Sequence, residues 1–329
     1  MHNFKDHELS SSKRRIWAKT FIVLTVTFIL LINIIGLIIG SIIYEEASLL
    51  PSYSPRQPAV QQLQQTIKYN GRELAKENIV INSPYGYSLS GTFIPNPAAS
   101  TKTVVFLHGF MENRSAGLNY LSIYLQSGFN ILLVDSRDHG ESGGDSVTWG
   151  NLEKYDLDQW ISWVNQRIPH GIIGVHGISM GAATALLHAE LNESNKRVAF
   201  YIADSSYSDF ETLLEFQINR FVNSTGLDIS KILLQYTNIV SYLHSRSTLQ
   251  EASPLKAVEH VTTPILYIHG DADELVPAFM SLELQEATKG PSEVFIFTNS
   301  THGSAIFDNH KLYKQIVQKK LNIFSLFGE

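Results

Sequence analysis

The sequence contains no cysteine in its 329 residues, which excludes disulfide bonds, thiolate metal sites and a cysteine nucleophile. Charged residues are also scarce, at 17% of the chain, because one long stretch near the N-terminus carries almost none. We find neither an internal repeat nor a low-complexity segment. The chain is 44% hydrophobic, and its length is sufficient to bury a full core.

The uncharged stretch runs from Thr20 to Tyr44 and contains no ionisable side chain before Tyr44 itself. At about 1.5 Å per residue, a helix of this length spans the hydrocarbon core of a bilayer. The stretch is longer than the apolar region of a cleaved signal peptide, and it lacks a small-x-small cleavage site. Residues 20–44 are therefore predicted to be a retained transmembrane anchor; a cleaved signal and a buried core helix are the alternatives.

Basic residues precede this stretch and acidic residues follow it: Lys13, Arg14, Arg15 and Lys19, then Glu45 and Glu46. The positive-inside rule predicts a cytoplasmic basic N-terminus at residues 1–19 and a single pass through the cell membrane. The C-terminal bulk of the chain then lies outside the cytoplasm, and the lipid bilayer is a partner of the N-terminal helix. Beyond residue 19 the chain is net acidic, which argues against a nucleic-acid partner.

Residues 45–77 are predicted to form a linker and a short helix. The linker contains the proline-punctuated segment "PSYSPRQPAV", and the amphipathic segment "AVQQLQQTIKYNGRELAKE" favours a helix. From residue 78 onward, short β-rich runs alternate with helical stretches. "NIVINS" and "SLSGTFIP" indicate an opening antiparallel pair, and the later runs are apolar on both faces, as in "FNILLVDSR", "GIIGVHG" and "PILYIHG". Residues 78–329 are therefore predicted to form an α/β domain with a doubly wound, mostly parallel sheet.

One interval, at about residues 205–260, is much longer than the usual connection between a strand and a helix. Its pattern is mostly helical, as in "FETLLEFQINRFVN" and "DISKILLQYTNIVSYLH". A helical insertion at this point would lie over the C-terminal edge of the strands, where doubly wound sheets bind ligands. A cap that shapes a substrate site and a crossover with packing helices are both compatible with the pattern.

The segment "GVHGISMGAATALL" places Ser179 between a strand and a helix, with Gly177 and Gly181 on either side. A bare G-x-S-x-G pattern is weak, but the strand–turn–helix context is what a nucleophile elbow requires. The start of the helix adds free N–H groups and a partial positive charge at the same point. Ser179 is therefore predicted to be a nucleophile.

A serine nucleophile requires a base, and the base requires an acid that orients it. "DADELVP" follows the penultimate strand and offers Asp271, Asp273 and Glu274 as acids. "NSTHGSA" follows the last strand and offers His302 as the base. All of these segments lie at the C-terminal edge of the sheet, on the same side as Ser179.

An oxyanion is best stabilised by backbone N–H groups that are already oriented. One donor is predicted to be the amide of Met180, directly after the nucleophile. The second is predicted to be the amide of Phe110, in the loop "HGFMENR" after the strand "TVVFLHG". His108 is expected to brace that loop, and His176 is expected to be buried and hydrogen-bonded.

Together, "VFLHGFMENR", "NILLVDSRDHGESGG", "GVHGISMGAATAL", "YIADSSY" and "TPILYIHGDADELVP" with "THGSA" resemble the α/β-hydrolase superfamily. They are most similar to bacterial, often membrane-anchored, serine esterases related to prolyl-oligopeptidase catalytic domains and cinnamoyl esterases. The resemblance covers about residues 78–325. Its Asp-x-x-Val-Pro pattern implies that Asp273 is the acid, with Asp271 as the next candidate and Asp204 as a more distant one.

The resemblance implies an ester-cleaving serine hydrolase with a small-molecule acyl substrate and with neither a cofactor nor a metal. Peptidase, thioesterase and acyltransferase activities of the same fold are alternatives. Related dipeptidyl-type peptidases carry an extra propeller domain, for which only about 35 residues lie between the predicted anchor and the first strand, and this favours an esterase. A catalytically degenerate, membrane-tethered binding protein is the alternative from a different functional class.

Overall fold

The computed structural model describes residues 2–48, 63, 65, 67–222 and 229–324. The linker predicted within residues 51–60 lies outside this part of the chain. The same is true of residues 223–228 within the predicted insertion and of the last five residues.

An eight-stranded sheet forms the centre of the structure, with the strand order β10-β9-β8-β7-β5-β6-β4-β3. The strands from β10 to β6 in this order pair in parallel, and β4 and β3 add antiparallel pairs at one edge. The predicted mostly parallel, doubly wound sheet is therefore confirmed, and so is the opening antiparallel pair. The strands are β3 (Glu77–Asn82), β4 (Ser88–Ile94), β5 (Lys102–Leu107), β6 (Phe129–Val134), β7 (Ile172–Ile178), β8 (Val198–Asp204), β9 (Ile265–Gly270) and β10 (Ser292–Phe297).

The central strands are apolar on both faces because helices cover both faces of the sheet. Every residue of β6 and β9 is buried. One core contains Tyr124 and Tyr313 from helices on the first face, and the other contains Trp160 and Leu186 from helices on the second face. The covering helices are α2 (Leu121–Gln126), α3 (Glu153–Arg167), α4 (Met180–Asn192), α7 (Pro254–Val258), α8 (Phe279–Ala287), α9 (Ala305–Asp308) and α10 (His310–Phe324).

The prediction of a helix within residues 59–77 is wrong for the second half of that segment. β1 (Lys68–Tyr69) and β2 (Arg72–Glu73) form a small antiparallel hairpin there. The two residues between these strands, Asn70 and Gly71, have φ values of 50° and 75°. An Asn-Gly pair with positive φ at both positions makes a tight hairpin turn, and this local signal outweighs the helical pattern of the flanking residues.

Helix α1 (His2–Ser48) contains the predicted anchor. Its segment Arg14–Ala47 contains an 18-residue window with a mean hydropathy of 2.9 and is long and apolar enough to cross a membrane. Only 6% of its most apolar window is buried against the rest of the chain, so the alternative of a buried core helix is wrong.

The interval predicted as an insertion contains helices α5 (Phe210–Val222) and α6 (Ser230–Ser245), followed by a 3₁₀ helix at Leu249–Glu251 and by α7. α5 begins just beyond the end of β8, and so it lies at the C-terminal edge of the sheet. Phe210, Leu213 and Leu234 from α5 and α6 share a third buried apolar cluster with Val276. The insertion is thus packed directly over the edge that carries the candidate site.

Candidate active site

Ser179 occupies a sharp turn between β7 and α4, with φ of 53° and ψ of −118°. Its N–H donates a hydrogen bond of 2.8 Å to the carbonyl oxygen of Asp204 at the end of β8. A positive φ is uncommon for a residue with a Cβ, and such strain persists only where the surroundings hold it. The turn lifts the serine side chain clear of both the strand and the helix.

The two glycines of the motif allow strand and helix backbones to approach closely at this turn. A Cβ added at Gly177 would lie 2.1 Å from the carbonyl oxygen of Gly181. A Cβ added at Gly181 would lie 2.5 Å from the carbonyl oxygen of Leu107. Because backbone atoms cannot move aside as a flexible side chain can, only glycine fits at either position.

The structure brings Ser179, His302 and Asp273 together in one hydrogen-bonded chain. Nε2 of His302 lies 2.8 Å from Oγ of Ser179, and Nδ1 of His302 lies 2.6 Å from Oδ2 of Asp273. A carboxylate can only accept, so Nδ1 carries the proton and Nε2 is left to accept one from the serine hydroxyl. This arrangement can activate a serine for attack on a carbonyl group.

Asp273 is buried in the loop after β9 and held by several donors. Its Oδ1 accepts hydrogen bonds from the backbone N–H groups of Leu275 and Val276, at 2.9 and 2.8 Å. Burial opposes ionisation, but hydrogen bonds from His269, His302 and the backbone N–H of Val276 hold the pKa of Asp273 well below its usual range. The carboxyl group is therefore charged at neutral pH.

His269 is a residue of this site that the sequence reasoning missed. Its Nε2 lies 3.2 Å from Oδ2 of Asp273 and 2.8 Å from the carbonyl oxygen of Val276. Both neighbours only accept, so Nε2 carries the proton, and Nδ1 is 2.6 Å from the hydroxyl of Ser281. The signal in the sequence is its position at the end of β9, four residues before Asp273.

The two alternative acids are engaged elsewhere. Oδ1 of Asp271 accepts from the backbone N–H of Asn299 at 2.6 Å. Oδ2 of Asp204 accepts from the hydroxyl of Tyr313 at 2.7 Å. Asp273 is the carboxylate that lies beside the imidazole of His302, and this geometry favours it over both alternatives.

Phe110 and Met180, the predicted oxyanion donors, both lie next to Ser179 in the fold. Phe110 shares the wall of a cavity with Ser179, and Met180 is the first residue of α4. Within the described ranges, no acceptor is hydrogen-bonded to the backbone N–H of either residue. Both donors therefore remain available to a ligand oxygen.

The loop that carries Phe110 is braced by buried histidines. Nδ1 of His108 lies 2.7 Å from the carbonyl oxygen of Gly109, and its Nε2 accepts from the backbone N–H of Ser136 at 3.1 Å. Burial lowers the pKa of His108 to about 4, so the ring stays neutral and acts as a fixed hydrogen-bonding group.

His176, on β7, is likewise buried. It is hydrogen-bonded to the hydroxyl of Tyr124 at 2.6 Å, and burial lowers its pKa to about 3. Both expectations for these residues are confirmed.

A cavity of about 540 Å³ opens beside Ser179 and His302. Its volume is within the range of small-molecule sites. The walls are mostly apolar and include Phe110, Trp149, Ile178, Leu213, Leu214 and Val276. Such a cavity can hold the hydrocarbon part of a ligand while a polar group meets the serine.

Comparisons with known proteins agree with the fold. A family model described as the alpha/beta hydrolase fold matches residues 102–232. The chain is 32% identical over 254 residues to the protein YqkD of Bacillus subtilis, covering 76% of this chain and 80% of that protein.

Among solved structures, an esterase from Pyrococcus furiosus is 25% identical, with a TM-score of 0.61 and coverage of 76% of this chain and 91% of that one. An acylaminoacyl peptidase from Pyrococcus horikoshii is 19% identical, with a TM-score of 0.56. The match covers 78% of this chain and 44% of the peptidase, and it shows a shared fold alone.

Proposed function

Because this chain belongs to the α/β-hydrolase superfamily, we propose that it is a serine hydrolase that cleaves carboxylic esters. The observation that carries the proposal is the chain of hydrogen bonds from Ser179 through His302 to Asp273, at 2.8 and 2.6 Å. A serine, a neutral imidazole and a buried carboxylate in this order form the general machinery of acyl transfer. Hydrolase chemistry is also what the esterase similarity supports.

In this mechanism, Oγ of Ser179 attacks the ester carbonyl while Nε2 of His302 takes its proton. The negative charge that develops on the carbonyl oxygen is stabilised by the amides of Phe110 and Met180. The bond between the carbonyl carbon and the alcohol oxygen breaks, and His302 returns the proton to the departing alcohol. Water then attacks the acyl enzyme by the same route and releases the acid. Asp273 holds the imidazole and stabilises its positive charge throughout.

A substrate panel separates ester cleavage from peptide cleavage. We expect nitrophenyl esters to be hydrolysed with a kcat/KM at least about 100-fold above that for aminoacyl nitroanilides, because the described cavity wall is mostly apolar and suits an acyl chain better than a charged aminoacyl group. Release of nitrophenol and nitroaniline is measured on the same protein preparation. Faster cleavage of the anilides would reject the esterase proposal in favour of a peptidase.

We also propose that α1 anchors the enzyme in the cell membrane, with residues 1–19 in the cytoplasm. The support is the apolar length of Arg14–Ala47 and the basic residues at its start. Alkaline phosphatase fused to the C-terminus is expected to be active, because it folds only outside the cytoplasm. If the phosphatase fusion were inactive and a fluorescent reporter that works only in the cytoplasm were active at the same position, the C-terminal part would lie in the cytoplasm. That result would contradict the proposed orientation.

A further inference from the structure

Helix α1 is packed against the insertion helix α6 through small residues. A Cβ added at Gly36 would lie 2.3 Å from the ring of Tyr236, and one added at Gly40 would lie 2.7 Å from the backbone of Tyr236. Further along, the buried Tyr44 stacks on His244 with ring centroids 5.1 Å apart. The two helices therefore run side by side in the same direction. A larger residue at Gly40 would meet backbone, and one at Gly36 would displace the ring of Tyr236.

This contact lies inside the apolar run of α1. The hydroxyl of Tyr236 donates to the side-chain oxygen of Asn33 at 3.1 Å, and the contact continues to Tyr44. Eleven residues of helix correspond to about 16 Å. α6 thus lies beside the half of the apolar run of α1 that is nearer the catalytic domain. Lipid that surrounds this half of α1 would therefore also surround α6.

The outward face of α6 is mostly apolar. Side chains that are 37–63% exposed follow one side of the helix and its first preceding residue: Ile229, Ile232, Ile239, Tyr242 and Leu243. Three polar side chains, Lys231, Gln235 and Arg246, are also exposed along this side. Arg246 lies at the end of α6 that is nearest to Tyr44, with its guanidinium group 5.5 Å from the ring of Tyr242, and its long stem allows the charge to reach a headgroup layer. An exposed apolar stripe next to a membrane-spanning helix is the composition of a surface that contacts lipid.

The cavity beside Ser179 is joined to this surface. Glu46 and Ala47, in the last turn of α1, form part of its wall, and so do Leu213 and Leu214 of α5, the helix that packs on α6. Phe307, which is 63% exposed, adds an apolar side chain at the cavity opening. The same end of α1 therefore borders both the bilayer and the cavity.

We propose that the substrates of this enzyme are esters of single acyl chains that reside in the bilayer, and that α1 and α6 together present them to Ser179. This inference rests on the proposed ester hydrolysis. The acyl chain enters the apolar cavity from the lipid and places its carbonyl group at Ser179. The alcohol leaves with the proton from His302, and one water molecule then converts the acyl enzyme to a free fatty acid and regenerates the serine.

The test uses the full chain reconstituted in phosphatidylcholine vesicles with two substrates, monooleoylglycerol in the bilayer and nitrophenyl acetate in the water. The double variant Ile239→Glu with Leu243→Glu places charges on the outward face of α6, outside the cavity. We expect hydrolysis of monooleoylglycerol to fall by about tenfold or more, since a carboxylate is costly in lipid. Hydrolysis of nitrophenyl acetate is expected to stay within about twofold.

Ile323→Glu is the matched control, because Ile323 is 37% exposed near the end of α10, which runs back from the C-terminal edge of the sheet. It is expected to leave both rates unchanged. Equal rates of lipid hydrolysis in the α6 variant and the wild type would overturn the inference. Failure of the wild type to hydrolyse nitrophenyl acetate would instead reject the proposed function.

A second measurement applies if the charged variant loses both activities through misfolding. In Ile239→Trp, the added tryptophan is expected to fluoresce and to be quenched by brominated phosphatidylcholine. The lost fluorescence should exceed that of the wild type, which comes from the native tryptophans alone. Ile323→Trp is expected to show no additional quenching. An unquenched tryptophan at position 239 would exclude lipid contact and with it the proposed route.

Discussion

Ser179→Ala is expected to lower kcat for ester hydrolysis by about 10⁶-fold, because removal of the nucleophile abolishes the acyl-enzyme route. The proposed oxyanion donors and the cavity are untouched, so a residual rate about 10³-fold above the uncatalysed reaction should remain. The same change should abolish covalent labelling by a fluorophosphonate, which requires the serine oxygen. Initial rates and gel fluorescence of the labelled protein give both quantities.

Ser206→Ala is the control for this variant. Ser206 is a buried serine at the same edge of the sheet, and its hydroxyl donates to the carbonyl oxygen of Tyr207 at 3.0 Å. It should keep the fluorophosphonate labelling and most of the activity. If Ser179→Ala were still labelled at the wild-type level, another residue would be the nucleophile.

Asp273→Asn is expected to lower kcat by about 10⁴-fold while the protein stays folded. The asparagine oxygen can still accept from the N–H groups of Leu275 and Val276, which leaves its NH₂ group facing Nδ1 of His302. Nδ1 must then accept, so the ring proton moves to Nε2, and Nε2 can no longer take the proton of Ser179. Steady-state kinetics should show the loss in kcat with little change in KM.

Asp271→Asn is the matched control. Asp271 lies two residues before Asp273, and its side chain accepts a hydrogen bond from the backbone N–H of Asn299, which an asparagine oxygen can also accept. We expect its kcat to stay within about threefold of the wild type. Thermal unfolding of both variants separates loss of activity from loss of structure. A large loss of kcat in Asp271→Asn with a small loss in Asp273→Asn would indicate that Asp271, and not Asp273, is the acid that orients His302.

The sheet could be predicted because strands buried on both faces have an unusual pattern. "FNILLV" is apolar except for one asparagine, and "ILYIHG" is apolar except for one histidine. Both segments form fully buried strands inside the sheet. The neighbourhood of Ser179, Asp273 and His302 also followed from chain order, since loops after successive parallel strands meet at one edge. In this part of the molecule, local sequence and global topology agree.

The hairpin at Lys68–Glu73 and the contact between α1 and α6 could not be predicted in this way. In the hairpin, a two-residue turn signal competes with a longer helical pattern and outweighs it. α1 is apolar on every side, so its sequence marks no face for packing, and Gly36 and Gly40 gain meaning only once Tyr236 is seen against them. His269 is marked in the sequence only by its position at the end of β9, four residues before Asp273, and its contact with Asp273 depends on how the following loop folds back.

The last turn of α1 has a practical consequence for work on a shortened protein. A shortened protein that begins after residue 48 would lack Glu46 and Ala47 and would have one side of its cavity open to water. Such a truncation removes part of the cavity wall as well as the candidate membrane-spanning helix. Substrate preferences measured on it would describe a wider and wetter pocket than that of the intact enzyme.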